Sequence, residues 1–174
     1  ERGRGRPCCR GGASAAGAVP SRMPAMNTVT YVPQRASGSR IETIRGLALH
    51  LRCWGEPDLV TPDRPPLLLL HGWMDVGASF QFLVDALAAL EGPTRYVVAP
   101  DWRGFGLSAA PAADNYWFPD YLGDLDTIVD RLAPAGAIDL LGHSMGGNVV
   151  MLYAGVRPQR VRWLVNLEGF GMPR

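Results

Sequence analysis

The sequence predicts an α/β fold, a mostly parallel sheet with helices on both faces. Three observations predict it: a β-hairpin pattern opens the regular part of the chain, short all-apolar runs follow, and segments of helical spacing alternate with those runs. A run such as Leu67-Leu68-Leu69-Leu70 has no polar alternation, as a strand buried on both faces requires. Repeated strand-helix units imply parallel strands joined by helical crossovers.

The elements follow in order. Residues 41–44 and 47–54 flank Arg45-Gly46, two strands on a tight turn. Residues 56–66 form a polar loop with four prolines, and Leu67 to Leu70 is the next strand, ending at His71-Gly72-Trp73. Residues 78–90 have helical spacing, with Phe82, Leu83, Ala86, Leu87 and Leu90 on one stripe, and Gly92-Pro93 ends them. Residues 96–99 read as a buried strand that closes on Asp101-Trp102-Arg103-Gly104-Phe105-Gly106-Leu107-Ser108. A helix rich in acids is expected over 121–132, a strand over 137–141, a helix over 147–154 and a last strand over 161–167. No internal repeat interrupts this order.

Composition bounds the function. The 174 residues suffice for one domain with a real core, and at 47% apolar the chain is neither fibrous nor wholly disordered. No apolar run approaches the length of a membrane-spanning helix, so no membrane partner is expected. All 17 basic residues are arginine, and five of them lie in residues 1–25 beside a single acid, Glu1. The remainder carries twelve arginines against fifteen acids, so the net +1 belongs to the head and implies no nucleic-acid surface. Residues 1–38 read as a low-complexity, disordered head and 39–174 as the folded domain. Residues 1–25 fit an artefact of the gene model, with Met23 or Met26 as the start, or else a transit peptide. Cys8 and Cys9 sit in the head and Cys53 stands alone in the body, a pattern without disulfide or zinc logic. No metal or cofactor is expected, and the cysteine usage points to a cytoplasmic protein, or an organellar one if the transit reading holds. Nothing in the sequence speaks to oligomeric state.

The chemistry concentrates at Gly142-His143-Ser144-Met145-Gly146. Strand, sharp turn and helix make this G-x-S-x-G pattern a nucleophile elbow. The turn holds Ser144 in a strained conformation, which demands very small neighbours two residues to either side, Gly142 and Gly146. The following helix points its N-terminus at the site, where positive dipole and free N–H groups favour an oxyanion.

Three motifs in this order, His71-Gly72-Trp73, Asp101 to Ser108 and Gly142 to Gly147, resemble those of the α/β-hydrolase superfamily, in its serine-esterase-like branch. The resemblance covers residues 39–171. It implies that the backbone N–H groups of Trp73 and Met145 are the two oxyanion donors, and that the Asp101 to Ser108 loop is structural, with Asp101 pairing with Arg103. A serine, where epoxide- and halide-cleaving relatives usually carry aspartate, implies hydrolysis of a carboxylic ester or thioester through an acyl-enzyme on Ser144. The expected partner is a small ester-like substrate.

A serine needs a base and the base an orienting acid. All three histidines, His50, His71 and His143, precede Ser144, whereas the family order is nucleophile, acid, histidine. His50 is expected to pack or cap, His71 to belong to the oxyanion motif, and His143 to point away from the hydroxyl. The resemblance therefore implies a chain that lacks the last strands of the sheet and the catalytic histidine, and is inactive as it stands. Glu168, at the end of the last strand, is the one candidate acid, set against a plain loop glutamate. The alternatives to ester hydrolysis are perhydrolysis, C–C bond cleavage or acyl transfer at the same site, or a non-catalytic, hydrolase-like binding protein.

Overall fold

Leu67–Leu70 (β3) lies at the heart of a six-stranded sheet in the computed structural model of the chain. The structure describes residues 30–91, 95–113 and 116–169. The chain divides into two units, Glu1–Tyr31 and Val32–Arg174, and the second is the one described below. The strands are Gly38–Ile44 (β1), Leu47–Trp54 (β2), β3, Val97–Pro100 (β4), Ile138–His143 (β5) and Val161–Leu167 (β6). Their order across the sheet is β1-β2-β4-β3-β5-β6. The β1-β2 and β2-β4 pairs are antiparallel, and β4, β3, β5 and β6 run parallel.

Local chemistry sets the joints. Arg45 and Gly46 both take positive φ, 47° and 82°, as the two central residues of a type I′ hairpin turn must. The three helices are Gln81–Glu91 (α1), Phe118–Leu132 (α2) and Met145–Val156 (α3). Pro119 opens α2, where its missing N–H costs nothing, with Asp120 in the first turn and Arg131 in the last, matching the helix dipole.

The two faces of the sheet are filled separately. Leu68, Leu70, Leu49 and Val98 pack with Leu125, Ile128 and Val129 of α2 and Val149, Val150 and Tyr153 of α3. Leu67, Leu69, Val97 and Ala99 pack on the opposite face with Phe80 and with Val84 of α1. Each fully buried Leu or Val contributes about 1.5–3 kcal/mol, so alternate residues of one four-residue strand stabilise two layers. The buried face of α1 differs from the expected stripe: Phe82 and Leu90 are 59% and 84% exposed, whereas Val84 is fully buried. A 3₁₀ turn over Gly77–Phe80 precedes α1, and the face that packs on the sheet comprises Phe80, Leu83, Val84 and Leu87.

Asp101 does not pair with Arg103. Arg103 donates from Nε and Nη2 to the two carboxylate oxygens of Asp124, both at 2.7 Å and with both side chains buried. These hydrogen bonds raise the Arg103 pKa. Asp101 turns the other way and accepts from the Gly77 and Leu107 N–H groups at 2.7 and 3.0 Å. The packed body also begins before Ser39, because the Gln34 and Arg35 N–H groups donate to Asp85 at 3.0 and 2.9 Å. The expected low-complexity head lies, over residues 1–29, outside the described residues.

Candidate active site

The chain passes from β3 to β4 on one side and returns to β5 on the other, so a crevice opens where the carboxyl ends of β3 and β5 part. Leu70 pairs with Gly142, Gly142 with Asn166 and His143 with Leu167, which brings three strand ends level. The segments leaving them are His71-Gly72-Trp73, the Ser144 turn and Glu168-Gly169.

Ser144 has φ 52° and ψ −115°, a conformation costly for a residue with a side chain. Its N–H donates to the Leu167 carbonyl at 2.9 Å and its carbonyl accepts from Asn148 N–H at 3.1 Å, so neighbouring backbone holds the strain in place. Although Ser144 occupies the N-cap of α3, its hydroxyl makes no capping bond. Serine at an N-cap ordinarily spends its oxygen on the helix; here Oγ is left for other use. The two elbow glycines are sterically required. A methyl on Gly146 would run into the Leu70 carbonyl, and one on Gly142 into the Gly146 carbonyl.

Met145 directly follows this serine, and Gly72, one residue before Trp73, packs against it. Met145 is the first residue of α3, so its N–H has no acceptor within the helix. Gly72 lies against Ser144: a methyl on Gly72 would stand 3.1 Å from Ser144 Cβ. Trp73 follows, its ring 57% exposed and set edge-on against Phe105 at 5.2 Å. His71 fixes the intervening peptide. Its Nε2 accepts from Trp102 N–H at 2.9 Å, which leaves the ring proton on Nδ1, and Nδ1–H donates to the Gly72 carbonyl at 2.7 Å. The indole N–H of Trp102 in turn donates to the His71 carbonyl at 3.0 Å. Burial lowers the His71 pKa, which keeps the ring neutral and the tautomer fixed.

None of the histidines is seen to serve Ser144. His71 has both ring nitrogens on backbone groups. His50, buried in β2, donates from Nδ1 to Asp101 at 2.9 Å, with its Nε2 2.5 Å from Ser39 Oγ. His143 is partly exposed, and its Nε2 is 3.9 Å from the carboxylate of Glu168. Glu168 stands just past β6 at φ 61°, with its side chain 79% exposed. Asn166 builds this turn, its amide accepting from Gly169 N–H at 2.8 Å and donating to the Gly169 carbonyl at 3.1 Å. Neither Asn166 nor Trp102 was singled out by sequence reasoning. An Asn three residues before a Gly at a strand end was the one available signal for the first. For Trp102 there was none, because its role depends on β3 and β4 lying side by side.

Among the described residues no cluster of three or more His, Cys, Asp or Glu side chains could hold a metal ion. No helix among them is long and apolar enough to cross a membrane.

Comparison with known proteins agrees with this architecture. Residues 65–173 match a family model described as the alpha/beta hydrolase fold. A serine hydrolase-like protein of Danio rerio is 37% identical over 107 residues, 61% of this chain and 31% of that protein. Among solved structures, the thioesterase domain from the curacin biosynthetic pathway superposes with a TM-score of 0.65 at 29% identity, over 75% of this chain and 44% of the other. An epoxide hydrolase from Vigna radiata superposes with a TM-score of 0.68 at 28% identity, over 79% and 42%. The chain spans about a third of the length of the zebrafish relative and under half of either structure. With four parallel strands, an elbow at the end of β5 and the matching family model, the chain belongs to the α/β-hydrolase fold family.

Proposed function

We propose that the protein hydrolyses a carboxylic ester or thioester of a small molecule through an acyl-enzyme on Ser144. The observation that carries this reading is the backbone of Ser144, at φ 52° and ψ −115°, with its hydroxyl uncommitted at the head of α3. The oxygen attacks the substrate carbonyl and the serine proton leaves to a base. The carbonyl oxygen gains charge, which the Trp73 and Met145 N–H groups receive. Each such donor is worth about 10²–10³ in rate. The alcohol or thiol departs and water releases the acyl group. Glu168 is the candidate acid, supported by its place one residue beyond Leu167, whose carbonyl holds the Ser144 N–H. A cytoplasmic setting is supported by Cys53, a free thiol whose pKa burial pushes up and so keeps unreactive.

The test is active-site titration of the full-length protein with a fluorophosphonate, followed by mapping of the adduct. Labelling at Ser144 with turnover of aryl esters, both lost in Ser144→Ala, is the expected result. Turnover that persists in Ser144→Ala would overturn the assignment. The second reading is a hydrolase-like protein that binds an ester without cleaving it, and the strained Ser144 with its uncommitted hydroxyl argues against it. Binding of a non-hydrolysable ester analogue without turnover of the ester itself would select that reading.

A further inference from the structure

A second serine, far from the elbow in sequence, is wired to an imidazole and a carboxylate. Ser39 lies on β1 and His50 on β2, and the hairpin register pairs His50 with Ile41. Residues two apart on a strand share a face, so Ser39 is the diagonal neighbour of His50. The Ser39 hydroxyl is 2.5 Å from His50 Nε2, and His50 Nδ1 is 2.9 Å from Asp101 Oδ2. Asp101 has no proton to give as a carboxylate, so Nδ1 carries the hydrogen and Nε2 accepts from the Ser39 hydroxyl. His50 and Asp101 are 1% and 3% exposed, whereas Ser39 is exposed.

The rest of the loop holds this relay still. The Gly77 and Leu107 N–H groups donate to the Asp101 carboxylate at 2.7 and 3.0 Å and hold its orientation. Ser108 bridges the two backbones, donating from Oγ to the Asp101 carbonyl at 2.6 Å and accepting from His50 N–H at 2.9 Å. The base is thus buried behind the serine, and the acid behind the base.

We propose that Ser39 is a second nucleophilic serine, activated by His50 and Asp101, that takes the acyl group of small activated esters. In the step, a bond forms between Ser39 Oγ and the carbonyl carbon of an aryl ester. The serine proton passes to His50 Nε2. The bond from that carbon to the aryloxide breaks, and the departing aryloxide takes the proton from Nε2. Asp101 stays ionised and steadies the transient imidazolium. The product is an O-acyl serine and a phenol. Trp73 and Met145, the donors assigned above, belong to Ser144, so Ser39 acylates more slowly than an intact elbow would.

The experiment uses the full-length protein carrying Ser144→Ala, which silences the elbow and separates this proposal from the previous one. The probe is p-nitrophenyl acetate, and acetylation is mapped by peptide mass. Residues 1–174 contain no lysine, so no ε-amine among them competes. Ser79 is the internal reference, an exposed serine paired with the carboxylate of Asp75 but with no imidazole. Ser39 is expected to acetylate about 10²-fold faster than Ser79, the low end of what a positioned general base supplies. His50→Gln, with its folding checked by circular dichroism, should bring Ser39 down to the Ser79 rate. Equal rates at the two serines in the Ser144→Ala protein would overturn the proposal. So would undiminished Ser39 labelling in a folded His50→Gln protein. Should His50→Gln fail to fold, the ratio of the two serines decides alone.

Discussion

The imidazole of His71 donates from Nδ1 to the carbonyl oxygen of Gly72 at 2.7 Å, and that oxygen belongs to the same peptide unit as the Trp73 N–H. In a planar trans peptide the C=O and N–H point in opposite directions. Holding the oxygen against the buried ring therefore fixes the direction of the Trp73 N–H, which points away from that ring. His71 is in this account a positioning residue.

That relationship sets the first prediction. His71→Ala frees the Gly72–Trp73 peptide, and kcat should fall by about 10²-fold, approaching the loss of one oxyanion donor, with KM little changed. His71→Asn keeps an amide donor near the position of Nδ1 and should retain more of the activity. Steady-state kinetics of both variants in the full-length protein make the comparison. An Ala variant that raises KM and leaves kcat alone would move His71 from the donor to substrate binding.

The same ring makes stability depend on pH. In the unfolded chain His71 binds a proton near the ordinary value of 6.5, while burial lowers its pKa in the folded chain. Between those two values the unfolded state holds more protons, so acid favours unfolding. This contribution to stability should be complete above about pH 6.5, fall as pH drops below it, and level off once the folded ring also takes a proton. Urea unfolding at about pH 7.5 and 5 should show the loss, and His71→Asn should lessen it. A slope unchanged by the substitution would assign the pH dependence to other groups.

How much of this was legible follows from the range of each interaction. The four leucines of β3, the Arg45-Gly46 turn and the elbow glycines act through local sterics and burial, and they could be read directly. The apolar face of α1 could not, because Phe82, Leu83, Val84, Leu87 and Leu90 surround much of the helix and only its seat on the sheet decides which of them are covered. The partner of Asp101 was misjudged for a different reason. Arg103 is two residues away, but the turn at Gly104 sends it to Asp124 on α2, and sheet pairing delivers His50 instead. The sequence motif located the loop; only the register of β1, β2 and β4 shows which side chains it gathers. At the candidate site the strained serine turn was legible from one motif, and the proposed donor roles of Trp73 and Met145 rest on one motif each. The base was not, since no histidine present falls where the hydroxyl needs one.

Glu168 carries the next prediction. A glutamate at φ 61° bears roughly 1–2 kcal/mol of backbone strain, and such strain persists where surrounding structure imposes it. Asn166 imposes it here by gripping Gly169 on both its N–H and its carbonyl. If the strain serves to present a carboxylate, removing the side chain should relieve strain and harm function together. Glu168→Gly is expected to melt no lower than the parent while losing about 10²-fold or more in turnover, and Glu168→Gln to lose activity similarly. A loss below about tenfold in both would assign the orienting role to another acid.

The final prediction concerns residues 1–174 by themselves, which should show no Ser144-dependent ester turnover. A serine hydroxyl is a poor nucleophile until an adjacent base takes its proton. His71 cannot do so, because Trp102 N–H occupies Nε2 and the Gly72 carbonyl engages Nδ1. His50 is committed to Asp101 and Ser39 at the opposite edge of the sheet. His143 flanks Ser144 in sequence and both pack against Gly72, but the His143 ring makes no hydrogen bond to the Ser144 hydroxyl, and its Nε2 lies 3.9 Å from the Glu168 carboxylate. What remains is the elbow with its two N–H groups, able to bind and polarise a carbonyl. In a complete protease stripped of its triad, such a remnant leaves about 10³–10⁴ over water, well short of enzymatic rates. The measurement is hydrolysis of an activated aryl ester by the purified 174-residue chain, with and without Ser144→Ala. Equal slow rates are expected, the remainder being independent of the Ser144 hydroxyl. A clear drop on Ser144→Ala would mean that one of the three histidines reaches Ser144 in solution, and double substitutions with His143→Gln, His71→Asn and His50→Gln would then identify which.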